Sequence, residues 1–174
     1  DLVNSVPADV RIETYVRAKT MEAIEATHKK VDTALKAGGD AVGAQTVIAT
    51  MPGQLPLACN NRLNELFVTN AKIAEPNVAV KDAGHFSAST DMGDVSHLLP
   101  VIHPFIGGVD GFLHTADFHV VDFKHAVLLP AKAFAMMIVD LLADDAELAR
   151  QIKAEHHPLL TKEEYIAKLD KYFQ

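Results

Sequence analysis

Val10-Arg11-Ile12-Glu13-Thr14-Tyr15-Val16-Arg17, followed by Thr20 and then by Ile24, His28, Val31 and Leu35, sets the fold class of the first part of this chain. Strict alternation places Val10, Ile12, Thr14 and Val16 on one face and Arg11, Glu13, Tyr15 and Arg17 on the other, which predicts a half-buried strand. Thr20 is a candidate helix N-cap, and the spacings of four and three from Ile24 to Leu35 predict an amphipathic helix ending at Gly38-Gly39. Thr46 to Met51 reads as a second strand, closed by Pro52-Gly53. Strand, helix, strand over residues 8–51 is an α/β unit. A unit this small cannot cover both faces of its sheet, so further strands or a partner surface are expected.

Gln54 to Asn61 is turn-rich, and a domain boundary is placed there, dividing the chain into residues 1–55 and 56–174. Leu63, Leu66, Phe67 and Ile73 predict a helix that Pro76 terminates. Residues 83–125 change character. They hold six of the nine histidines, at positions 85, 97, 103, 114, 119 and 125, with Asp91, Asp94, Asp110, Asp117 and Asp122 among them. Short apolar runs and glycines separate these groups, which predicts buried strands joined by loops that carry polar chemistry. Helical spacing resumes through Phe134, Met137, Ile138, Leu141, Leu142, Leu148 and Ile152, and this Met and Phe stripe reads as core. Thr161 with Glu164 three residues later forms a capping box for a last helix bearing Ile166, Leu169 and Phe173. No internal repeat or low-complexity segment interrupts the chain.

At 174 residues and 49% hydrophobic content, the chain can bury one core, or one core with a small satellite layer. A net charge of -7 without any Lys/Arg cluster argues against nucleic acid as a partner. Cys59 is the only cysteine, so no intrachain disulfide forms, and a reducing, cytoplasmic setting is expected. The apolar run Ala131 to Leu142 is interrupted by Lys132 and Asp140 and is shorter than the roughly 20 residues a bilayer span requires, so no membrane partner is expected. No basic-then-apolar leader opens the chain, and Asp1 stands where a start methionine would, which gives the expectation that further sequence lies upstream.

The His/Asp-rich zone is the place where a metal or acid–base site can be assembled, because imidazole and carboxylate are ordinary ligands for zinc-like ions. One cysteine and no Cys-x-x-Cys spacing disfavour a zinc finger, there is no His-Glu-x-x-His helix, and Gly107-Gly108 is too short for a phosphate loop. Cys59 as a nucleophile competes with the more ordinary role of a small apolar residue.

Three blocks in this order, Ala88-Ser89-Thr90-Asp91-Met92-Gly93-Asp94-Val95-Ser96, Pro100-Val101-Ile102-His103-Pro104 and His114-Thr115-Ala116-Asp117-Phe118, resemble the closing part of the di-metal amidohydrolase, aminoacylase and carboxypeptidase-G-like family, closest to its aminobenzoyl-glutamate hydrolase branch. Upstream, Val3-Asn4-Ser5-Val6-Pro7 running into Thr14-Tyr15-Val16-Arg17 is similar to the second half of that family's lid, or dimerisation, domain. The resemblance spans nearly the whole chain. It implies an α/β fold: part of a small α/β lid over residues 1–55, then the C-terminal part of a larger α/β/α metallohydrolase domain over residues 56–174.

The resemblance also implies roles. His114 takes the place of the family's last metal ligand; the alternative is a satisfied surface or core histidine. Asn4 and Arg17 match lid positions that grip the substrate's carboxylate, as a guanidinium fork and an amide donor are suited to do. Their alternatives are a turn asparagine and a solvated arginine. Ser89, Thr90 and Asp91 match a loop bordering the metal cleft, where Asp91 and Thr90 fix the orientation of a ligating imidazole; turn formation or helix capping is the equal alternative. His97, His103, His119 and His125 receive no role and read as structural.

Departures weigh against a complete site. No histidine here is followed two residues later by aspartate, and the Glu163-Glu164 pair belongs to a helix start, so the family's His-x-Asp ligand pair and its catalytic base are missing and no catalytic residue is assigned. The expected parent reaction is hydrolysis of an amide bond next to a free carboxylate, in N-acyl amino acids, aminoacyl-glutamates or dipeptides. Two zinc ions, or manganese in their place, are the implied cofactors. The implied partners are the missing N-terminal half of the same protein and a second copy through the lid. The alternatives are a non-catalytic assembly fragment and a binding protein that has lost its metal.

Overall fold

Thr20 starts the first helix as its chemistry dictates. In the computed structural model, which describes residues 4–7, 9–82, 84 and 88–172, its backbone is extended and its Oγ1 accepts the Ala23 amide at 3.3 Å. Val3, His85 and Phe173, all used in the sequence reading, lie outside the described residues. Two compact units divide at Ala49 and Thr50.

In the first unit, α1 spans Met21–Ala41. It passes through Gly38-Gly39 and ends only where Gly43, at φ 71°, turns the chain left-handed. Glycine inside a last helical turn is tolerated; reversal needs a positive φ, which Gly43 supplies. No residue of α1 is buried. The strands expected at 10–17 and 46–51 do not form: among the described residues neither segment pairs with another, and Val10, Ile12, Tyr15, Val47 and Met51 are largely exposed. Alternation specifies a face, but a strand exists only where a second backbone satisfies its N–H and C=O groups.

The second unit is built on α2 (Asn61–Ala74) packed against α4 (Leu129–Glu155). Asn60 caps α2 by accepting the Leu63 amide at 3.1 Å, and Glu75, extended ahead of Pro76, ends it. A π-helical turn, Lys124–Leu128, leads into α4, with Pro130 in the first turn, where its missing N–H is harmless. Leu63, Phe67 and Ala71 of α2 join Ala133, Met137 and Ile152 of α4 in one buried cluster, with Leu66, Val78, Ile102, Ile106, Leu141 and Leu148 around it. Phe67 and Phe134 meet at 4.9 Å between ring centroids. Asp140, which interrupts the apolar run, has a packing role: it accepts from Nδ2 of the buried Asn70 at 2.7 Å, and the Leu66 carbonyl accepts from the same amide at 3.1 Å.

The apolar helical stretch is longer than the run Ala131 to Leu142 suggests. The helical stretch Lys124–Glu155 is 32 residues long and contains an 18-residue window of mean hydropathy 1.9, long and apolar enough by those measures to cross a membrane. Its backbone leaves helical geometry at Ala143–Ala146, Ala133 and Met137 are buried in the core with α2, and Leu129 is buried as well.

Between these helices lie α3 (Met92–Ser96), a two-stranded antiparallel ladder of β1 (Val109–Asp110) and β2 (His119–Val120), and, after α4, α5 (Lys162–Asp170), whose capping box is complete in both directions. Among the described residues of 83–125 the expected buried strands do not form: a largely half-buried stretch over 92–106, with Gly93, Ser96, His97 and Val101 buried, is followed by exposed loops and this short ladder, in which Val109 pairs with Val120 and Asp110 with His119. Two-residue strands carry too little apolar face to bury.

Candidate functional site

Residues 111–121, between β1 and the π-helical turn, are exposed throughout. Gly111 makes the turn at φ 86°, where a Cβ would lie 2.5 Å from the Asp117 carbonyl oxygen. His114 stands in this loop at φ 66°, a left-handed conformation that costs a side-chain-bearing residue about 1–2 kcal/mol. Its ring makes no hydrogen bond with the described residues. Asp117 makes no hydrogen bond to it; the Thr115 hydroxyl instead lies between the Phe112 carbonyl, at 2.6 Å, and the Asp117 carboxylate. That hydroxyl, with backbone amide donors after it, holds the Asp117 carboxyl below the usual carboxylate range. His119 Nδ1 donates to the Asp117 carbonyl at 2.6 Å, and His125 Nδ1 pairs with Asp122 Oδ2 at 2.6 Å, lowering the Asp122 pKa through that hydrogen bond first.

The segment from Ala88 to Asp91 enters α3 beside a close backbone approach. A Cβ on Gly93 would sit 1.9 Å from the Leu55 carbonyl oxygen, so glycine there is required for packing against the 54–60 connection. Ser96 and His97 complete that seam: Ser96 Oγ accepts the Ala58 amide at 3.0 Å and donates to the Gly93 carbonyl at 2.6 Å, while His97 Nε2 donates to the Pro56 carbonyl at 2.9 Å. His97 therefore has a structural role. Thr90 Oγ1 lies 3.3 Å from His103 Nε2, and Asp91 Oδ1 accepts a hydrogen bond from Gln54 Nε2. Thr90 and Asp91 are thus tied into one loop, and neither hydrogen-bonds His114. Gln54, 37 residues from Asp91, and His103 are the participants that sequence reasoning missed; no spacing rule links residues that far apart in a loop.

Asn4 and Arg17 belong to the first unit. Asn4 is exposed in a turn, and the exposed Arg17 guanidinium lies 5.0 Å from the Tyr15 ring centroid, a cation–π contact. Cys59 is half-buried and lines a cleft with Asn60, Ser96 and His156.

Among the described residues no group of three or more His, Cys, Asp or Glu side chains is gathered in a way that could hold a metal ion. Zinc takes three or four protein donors, and His114 alone is one, so these residues do not by themselves fit the metal that the resemblance implies.

The chain is similar to the Xaa-Arg dipeptidase of Mus musculus, with 29% identity over 153 residues. The match covers 83% of this chain and 36% of the dipeptidase, so the chain spans little more than a third of that relative's length. No protein-family model matches, and no solved structure does. The likeness supports a peptidase or amidohydrolase reading at that coarse level, and it runs across both units.

Proposed function

We propose that this chain is the C-terminal part of a metal-dependent amidohydrolase or peptidase that cleaves an amide bond next to a free carboxylate. Residues 1–55 would be the second half of a lid and residues 56–174 the end of the catalytic domain, within an α/β architecture. The observation that carries the reading is the likeness to a dipeptidase along 83% of the chain. A second feature supports it: the loop around His114 is exposed, strained at His114 and unexplained by packing, which is the pattern of a loop kept for chemistry.

In this reading His114 would supply one donor to zinc, or to manganese, and most of the other donors and the catalytic base would come from outside these 174 residues. When bound, such an ion polarises the scissile carbonyl and activates water. The chain's own residues orient the substrate. The Arg17 fork is suited to a terminal carboxylate, Asn4 adds an amide donor, and Asp91 with Thr90 fixes the loop at the edge of the cleft. Pairing of two copies through residues 1–55 and a cytoplasmic setting belong to the same proposal. The non-catalytic assembly module is the second reading, favoured by the absence of a gathered donor set among the described residues.

The test is an assay of the full-length protein on dipeptides, including Xaa-Arg, on N-acyl amino acids and on the same compounds with the carboxylate amidated. Turnover confined to the free-carboxylate forms is expected. No turnover, or equal turnover of the amidated forms, contradicts the proposal. Arg17→Ala should lower kcat/KM by about 2–3 kcal/mol of charge-assisted hydrogen bonding.

A further inference from the structure

We infer that His103 is a positioning residue that sets the loop Ser89–Asp91 through Thr90. The inference rests on the hydrolase reading above, because it takes this loop to border the reaction site. Thr90 is half-buried and follows an exposed Ala88-Ser89, so the loop has little packing of its own. Two side chains tether it from distant parts of the chain: Gln54 reaches Asp91 Oδ1, and His103 Nε2 lies 3.3 Å from Thr90 Oγ1. The His103 ring is itself held edge-on to Phe105, at 5.5 Å between centroids and 71° between planes.

The hydrogen-bond inventory selects a tautomer. His103 Nδ1 is buried and has no partner among the described residues. If it carried the proton, a buried donor would be orphaned; with the proton on Nε2, only an acceptor lone pair goes unmatched, the more tolerated of the two. Nε2–H therefore donates to Thr90 Oγ1. That oxygen also accepts the Met92 amide at 3.4 Å, so its two lone pairs are both used. The Thr90 hydroxyl proton is then left free to point away from His103, which fixes the Thr90 side chain although His103 itself touches no reacting atom.

In the full-length protein, the glutamine amide nitrogen can take the place of Nε2 and the asparagine amide that of Nδ1. His103→Gln should keep most of the wild-type kcat/KM, whereas His103→Asn and Thr90→Val should each lower it about 10- to 100-fold with the melting temperature little changed. The double variant His103→Asn/Thr90→Val should be no worse than either single change, because both remove one interaction. Equal activity of His103→Gln and His103→Asn, or a double variant whose loss is the product of the single losses, overturns the inference. Should His103→Asn fail to fold, Thr90→Val against His103→Gln still decides it: normal kcat/KM in Thr90→Val overturns it. An inactive wild type sinks the hydrolase reading and this inference with it, whereas an active wild type indifferent to these changes sinks the inference alone.

Discussion

The α2–α4 pair and the His114 loop lie in the same unit and follow opposite rules. Along α2 and α4 the apolar residues recur at helical spacing and close on one another, so that Phe67 is 7% exposed and Ala133 fully buried. Along 111–121 the residues are also rich in apolar side chains, yet Phe112 is 77% exposed and nothing in the segment is buried. The first region is explained by packing. The second is not, since folding gains little from aromatic residues left in water or from a left-handed histidine. The contrast teaches where function is to be sought: where a sequence carries residues its own fold does not use.

The contrast is broken or sharpened most strongly by paired truncations. Phe67→Ala should destabilise the second unit by about 3–5 kcal/mol, the usual loss for a buried aromatic, while Phe112→Ala should change stability by less than about 0.5 kcal/mol. Denaturant melts of both variants check this, and a comparable loss for Phe112→Ala would show that the loop is a packing element after all. Next in size, Asn70→Ala should cost about 1–3 kcal/mol, because it empties a buried site and removes the amide shared by Asp140 and Leu66. Equal melts for wild type and variant would remove the polar link from the account of the helix pair. Asn60→Ala should cost about 0.5–2 kcal/mol through loss of the α2 cap.

The smallest effect is one of pH. The Glu164 carboxyl is held below its ordinary value by its hydrogen bond with the Thr161 amide first and then by the Thr161 side chain. Its folded pKa being the lower one, the stabilisation is present above the unfolded pKa and is lost as pH falls through the folded value. Glu164→Gln, which removes the titrating group, should flatten that acid-side dependence in melts followed from neutral pH downward. An unchanged profile would mean that the α5 cap does not select the charged form.

What was legible in the sequence was local. Thr20, Thr161 and Pro76 act at a fixed offset along the chain, and the starts they predict for α1 and α5 and the stop for α2 are the ones where the structure shows caps and a pre-proline end, whereas the Asn60 cap of α2 emerges only in the structure. The strands at 10–17 and 46–51 were not decidable this way, because pairing depends on a second segment that no alternation pattern names. His97 reads as structural from the sequence, but the partners that give His97 and Ser96 their use were hidden for the same reason: Pro56 and Ala58 are some forty residues away, in a loop. His114 was legible only through its neighbours in sequence, since geometry leaves it exposed and unpartnered among the described residues.

The central claim is that His114 serves chemistry and not packing. Its most direct test is the variant His114→Ala in the full-length protein, with bound metal and turnover of a free-carboxylate dipeptide measured on the same preparation. The account predicts an unchanged melt, the loss or loosening of one metal equivalent and the disappearance of most activity. Unchanged metal content with near-normal turnover would contradict it and return His114 to the ordinary polar residues of an exposed loop.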